Sequence, residues 1–167
     1  MNDKTRRVLE AVTKVIVMKD VQPGSPDANG RTHWDNGSPV TWCNRALHRI
    51  LVMLGGQVDL ILEPKGINWT NANAMVKNAR ENCQRVEKPE DAQNLANMGH
   101  LVIAVAHNPR GSGHVEMVVF DDVPFQAARG PRVGGAGTVN GIGYVRPRFA
   151  SLDVEFYEIP TGEGVAD

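Results

Sequence analysis

The apolar pattern of the chain changes period at Gly99, and that change limits what it can fold into more than any other feature. Before Gly99 the apolar residues recur at helical spacing. Val8, Leu9, Val12, Val15 and Ile16 form one stripe within residues 5–17, as expected of an amphipathic helix. Cys43, Leu47, Ile50, Leu51 and Leu54 form another, opened by Thr41 as N-cap and stopped at Gly55-Gly56. Further helices are predicted across residues 72–83 and, opened by Pro89, across residues 90–98. After Gly99 the signals are those of strands. Residues 101–106 are a continuous apolar run, Pro109 to Gly113 is a turn, and residues 114–120 are a second strand, which together predict a hairpin. Weaker strands are predicted at 132–136 and 141–145, and a better one at 152–159. Helices followed by strands give an α+β domain with N-terminal helices packed on a C-terminal antiparallel sheet.

A length of 167 residues, 41% of them hydrophobic, fits a single domain across 1–167, with its core at about 34–159 and a flexible tail at 160–167. Residues 20–40 are dense in Pro and Gly and read as a long ordered loop, a place where function often resides. A formal net charge of -1 gives no reason to expect a nucleic-acid partner. No apolar run approaches a membrane span and no secretory h-region opens the chain, so synthesis in the cytoplasm without membrane insertion is the expectation. Cys43 and Cys83 are too few for a disulfide framework or a Cys-rich zinc site, and each is read as a single thiol. No metal or cofactor is expected, and a monomer is the default.

Cysteine attacks as the thiolate, which the unpaired N–H groups and positive end of a helix N-terminus stabilise. Cys43 is placed in the first turn of its predicted helix. It needs a base, and His114 opens a strand directly after a glycine turn, where a rigid element would hold its ring. His33 in the long loop, His48 within the nucleophile helix, and His100 and His107 at the ends of a strand are assigned structural or surface roles, and the spacing of His100, His107 and His114 matches no metal-ligand pattern. The run Gly134-Gly135-Ala136-Gly137 falls short of a phosphate-binding motif. Cys83, late in a polar helix, has no functional support.

Thr41-Trp42-Cys43-Asn44, Asn71-Ala72-Asn73-Ala74-Met75, Gly99-His100-Leu101-Val102-Ile103-Ala104 and Gly113-His114-Val115-Glu116-Met117 form an ordered series. It resembles the papain-like cell-wall hydrolases of the NlpC and CHAP type, especially small single-domain members associated with phages and with bacterial competition. The resemblance spans about residues 34–158, with the Cys-Asn and Gly-His-Val motifs its sharp parts. It implies a cysteine amidase or endopeptidase that cleaves stem-peptide amides of peptidoglycan through a thioester, with Cys43 attacking and His114 shuttling the proton. Delivery to the wall by lysis, injection or secretion would follow, with a holin, secretion machinery or an immunity protein as partners. Asn36 is the implied oxyanion donor, with Asp35 as a structural partner. For substrate contacts Trp42, Trp69 and Asn73 are the candidates, and Trp34 flanks the same cleft in sequence. Core packing and helix capping are the competing roles for the tryptophans and for Asn71.

The third, histidine-orienting residue is where the chain departs from the family. A polar residue usually stands two before the glycine matched by Gly137, and here that position is Gly135. Asn140 is the predicted orienter, with Gln126 and Asp122 behind it. Glu116 shares a strand face with His114, where the family carries a small residue, and either pairs with the imidazolium or faces solvent. The departure leaves a catalytically inactive papain-fold binding module as an alternative, alongside a thiol hydrolase of a protein amide.

Overall fold

The computed structural model describes residues 1–27, 29–33 and 41–162, with the side chain of Trp69 also outside the description. It is an α+β structure. In chain order the elements are α1 (Asp3–Ile16), α2 (Cys43–Met53), α3 (Ala72–Asn82), β1 (Gln84–Val86), α4 (Pro89–Met98), β2 (Leu101–Ala106), β3 (His114–Val118), β4 (Arg132–Gly135), β5 (Gly141–Tyr144), α5 (Val145–Phe149) and β6 (Glu155–Ile159). The strands form one six-stranded antiparallel sheet in the order β1-β6-β2-β3-β4-β5.

The unbroken apolar character of β2 follows from its place. It lies between β6 and β3 and is covered on both faces, so every residue is buried. Leu101, Ile103 and Val105 join Val8, Val12, Leu47, Ile50, Leu51, Met75 and Val76 in a cluster that packs α1, α2 and α3 on one face. Val102, Ala104 and Ala106 face the other way and meet Ala92 and Ala96 of α4 and Val145 and Phe149 of α5. Each fully buried aliphatic side chain stabilises the fold by about 1.5–3 kcal/mol. Helices therefore lie on both faces of the sheet. α4 and the unpredicted α5 cover the second face.

Helix ends follow local chemistry. Asn2 caps α1 and Asn71 caps α3, each side chain accepting from the backbone N–H three residues on at 2.9 Å. At α2 the expected cap, Thr41, does not serve. The N-cap is Trp42, which offers no side-chain hydrogen bond, and the helix opens on Cys43 itself. β1 was not predicted either, because Gln84-Arg85-Val86 carries no strand pattern and is ordered by pairing with β6 at the sheet edge. No described helix is long and apolar enough to cross a membrane.

Candidate active site

Cys43 is the first residue of α2 and is buried on the face of the sheet that α2 covers. His114 is the first residue of β3 and stands opposite Ala106, on the α4–α5 face. The β3–β4 ladder is paired only at Met117↔Gly134 and Val118↔Val133, so it stops before reaching His114. Beyond that stop the thiol of Cys43 comes close enough to the ring of His114 to raise its pKa. The pair expected from sequence is therefore brought together.

The loop before His114 is tied down from α3. Asn73 donates to the carbonyls of Asn108 (3.0 Å) and Gly111 (2.9 Å) and accepts from the Asn108 N–H (2.9 Å). A Cβ at Gly113 would lie 2.4 Å from Asn73 Oδ1 and 2.6 Å from the Ala106 carbonyl, so only glycine admits this approach. Asn73, expected to contact substrate, is thus committed to positioning the histidine strand.

The other face of the imidazole site was not foreseen in full. His114 Nε2 lies 2.9 Å from Glu116 Oε1. Glu116 has no solvent-exposed side-chain surface. Arg148 from α5 holds it, with Nε 2.7 Å from each carboxylate oxygen and Nη2 also on Oε1. The same Nη2 donates to the carbonyls of Gly135 (3.3 Å) and Val139 (3.2 Å). Phe149 packs its ring against His114 at a centroid distance of 4.7 Å and 64°.

Gly135, the position of the sequence departure, and Gly137 account for this arrangement. A Cβ at Gly135 would lie 3.1 Å from Glu116 Cγ, and one at Gly137 would lie 3.0 Å from His114 Cε1. Glycine at 135 makes room for an acid that reaches the ring from β3 instead of from β4. Asn140 does not orient His114: its Oδ1 accepts from the Gly137 N–H (3.2 Å) and its Nδ2 donates to the carbonyls of Ile16 (3.2 Å) and Val21 (3.0 Å). It anchors the β4–β5 turn on the end of α1. Gln126 accepts from Arg129 (2.8 Å) and Asp122 is exposed, so the carboxylate on the ring is Glu116.

Burial alone lowers the pKa of His114, but the neighbouring Cys43 thiol and the hydrogen-bonded Glu116 carboxylate outweigh it and push it up to about 10. The imidazolium is accordingly the favoured form at neutral pH.

The remaining candidates fall elsewhere. Asn36, Asp35 and Trp34 lie outside the described residues. The indole N–H of Trp42 donates to the Ser25 carbonyl (3.0 Å), and the Arg45 guanidinium lies 3.8 Å from its ring centroid. Trp69 closes the short 3-10 helix Ile67–Trp69. His100 pairs with Glu158 (2.6 Å), His107 and His33 are exposed, and His48 is half-buried with its pKa lowered by burial and by the neighbouring Arg49 charge. Among the described residues no group of three or more His, Cys, Asp or Glu side chains is placed to hold a metal ion.

Arg148 is the residue that sequence reasoning missed. Its signal lay in Glu116, an acid among Val115, Met117, Val118 and Val119, since a carboxylate inside an apolar strand needs a cation. Nothing local singles out Arg148 from the other arginines. Comparison with protein-family models and with curated proteins gave no match.

Proposed function

We propose that this protein is a cysteine-dependent amide hydrolase of papain-like architecture whose substrate is the stem-peptide portion of peptidoglycan. The observation that carries the reading is the approach of Cys43, at the start of α2, to the His114 ring, with a buried carboxylate on the Nε2 of that ring. The cysteine on a helix packed beneath an antiparallel sheet, with the histidine leading an inner strand, supports the papain-like assignment.

In the first half-reaction Cys43 Sγ adds to the amide carbonyl carbon and the C–N bond breaks. His114 gives its proton to the departing amine, and a thioester remains. In the second, water adds to the thioester carbonyl as His114 takes its proton. The C–S bond breaks, the acid product leaves, and the thiolate–imidazolium pair is restored. The oxyanion is met by the Cys43 backbone N–H at the helix N-terminus, with Asn36 proposed as second donor. Glu116 holds the ring and stabilises its charge, the part played by the third member of a catalytic triad. A carboxylate in that position removes the main ground for an inactive module, which was the absence of a polar side chain at 135.

Clearing of purified sacculi by wild type and by Cys43→Ala tests the reading. Clearing that disappears in the variant is the expected result. No clearing by either protein refutes wall hydrolysis and turns the question to protein amides. Delivery by a holin, by secretion machinery or beside an immunity protein belongs to the same proposal.

A further inference from the structure

We infer that Arg148 is a positioning residue that reserves the His114 imidazolium for the Cys43 sulfur by taking the charge of Glu116 onto itself. The inference rests on the reading of Cys43 and His114 as a catalytic pair. Only 14% of the Arg148 side chain and 17% of the His114 side chain are exposed, and none of Glu116. In a site this dry, charge has to balance locally, because an uncompensated buried charge is strongly disfavoured.

The charged or titratable groups facing one another are Cys43 from α2, His114 and Glu116 from β3, and Arg148 from α5. Among the described residues, β2 contributes only Ala104 and Ala106 opposite Glu116 and His114, β4 and its extension contribute Gly135 and Gly137, and α5 adds Phe149. With Arg148 on Glu116, balance is met both by thiol with imidazole and by thiolate with imidazolium. The proton passes between sulfur and ring without leaving a bare charge. Without the guanidinium, Glu116 needs another cation and the imidazolium is the one at hand. Cys43 then stays protonated, since a thiolate would be a second uncompensated anion.

Arg148 is itself held in place. Its Nη2 is bound by the Gly135 and Val139 carbonyls, and α5 ends at Ala150, whose φ of 50° opens a tight turn closed by the Leu152 N–H on the Phe149 carbonyl (3.1 Å). That turn fixes Arg148 against the acid and Phe149 against the ring from one short helix.

The test is the pH profile of Cys43 alkylation by iodoacetamide, read by mass spectrometry, in wild type, Arg148→Met, Arg148→Lys and the double variant Glu116→Gln/Arg148→Met. Arg148→Met should move the half-maximal pH upward by about one unit or more, about a tenfold loss of reactivity at any pH well below the wild-type midpoint. Arg148→Lys should move it less, because an ammonium keeps the charge but not the fork. The double variant should recover most of the wild-type profile, since both charges are gone and glutamine still bonds the ring. A folded Arg148→Met with the wild-type profile, or a double variant displaced as far as the single one, overturns the inference. Should Arg148→Met fail to fold, an undisplaced Arg148→Lys profile does the same. Wild type that reacts no faster than an ordinary thiol at pH 6 refutes the catalytic-pair reading instead, so the two failures are distinct.

Discussion

The protein carries its two thiols at opposite kinds of helix end. Cys43 opens α2 and meets an imidazole whose pKa is pushed up to about 10. Cys83 closes α3 as its C-cap, its N–H donating to the Ala79 carbonyl at 3.0 Å, and burial pushes its pKa up to about 11. The sulfur is the same, but one end of a helix presents N–H groups and the other carbonyl oxygens. Helix polarity and one neighbouring side chain, and not overall burial, therefore separate the proposed nucleophile from the other thiol, since Cys43 is the more buried of the two.

The largest effect that would sharpen this contrast is on turnover. Cys43→Ala should reduce sacculus hydrolysis by about a thousandfold or more, while Cys83→Ala should leave the rate within about twofold and the thermal midpoint nearly unchanged. Equal losses would erase the distinction.

The ion pairs near each thiol differ in the same direction. Arg148→Met strips a buried carboxylate of its guanidinium and should cost about 3 kcal/mol in denaturant unfolding. Near the Cys83 end of α3, Arg80 pairs with Glu155, but Arg80 is 47% exposed. Arg80→Met should cost no more than about 1 kcal/mol.

A smaller effect comes from the loop that carries His114. Asn73→Ala removes its bonds to Asn108 and Gly111 and should cost about 1–2 kcal/mol, with a fall in kcat exceeding any change in KM.

The last effect is on stability against pH. His114 is held above its unfolded value of about 6.5, so its contribution is fully present below that pH and is lost as pH rises through about 10. Unfolding free energy should decline across that window by at most about 1.4 kcal/mol per pH unit. Cys43→Ala should flatten the decline, because two of the interactions that raise His114 come from Cys43. Cys83→Ala should not.

The parts legible in sequence were those whose environment repeats along the chain. The stripe Cys43, Leu47, Ile50, Leu51, Leu54 and the run Leu101–Ala106 announce a buried helix face and a strand buried on both sides. The pairing of Cys43 with His114 was legible because a helix N-terminus and a strand start are local features. What was lost depends on partners distant in the chain. β1 exists because β6 pairs with it, and α5, with Pro147 inside its first turn, has no apolar period to display. The orienting role moved from the expected Asn140 to Glu116 because Gly135 vacates space beside the acid, a relation between neighbouring strands that residue spacing along one strand does not reveal.

The most direct measurement is the rate at which each cysteine is alkylated at pH 6, resolved by peptide mass spectrometry in wild type and His114→Ala. We expect Cys43 to react first and Cys83 to remain unmodified, and the His114 variant to slow Cys43 by at least about tenfold. Preferential reaction of Cys83, or a Cys43 rate indifferent to His114, would contradict the account.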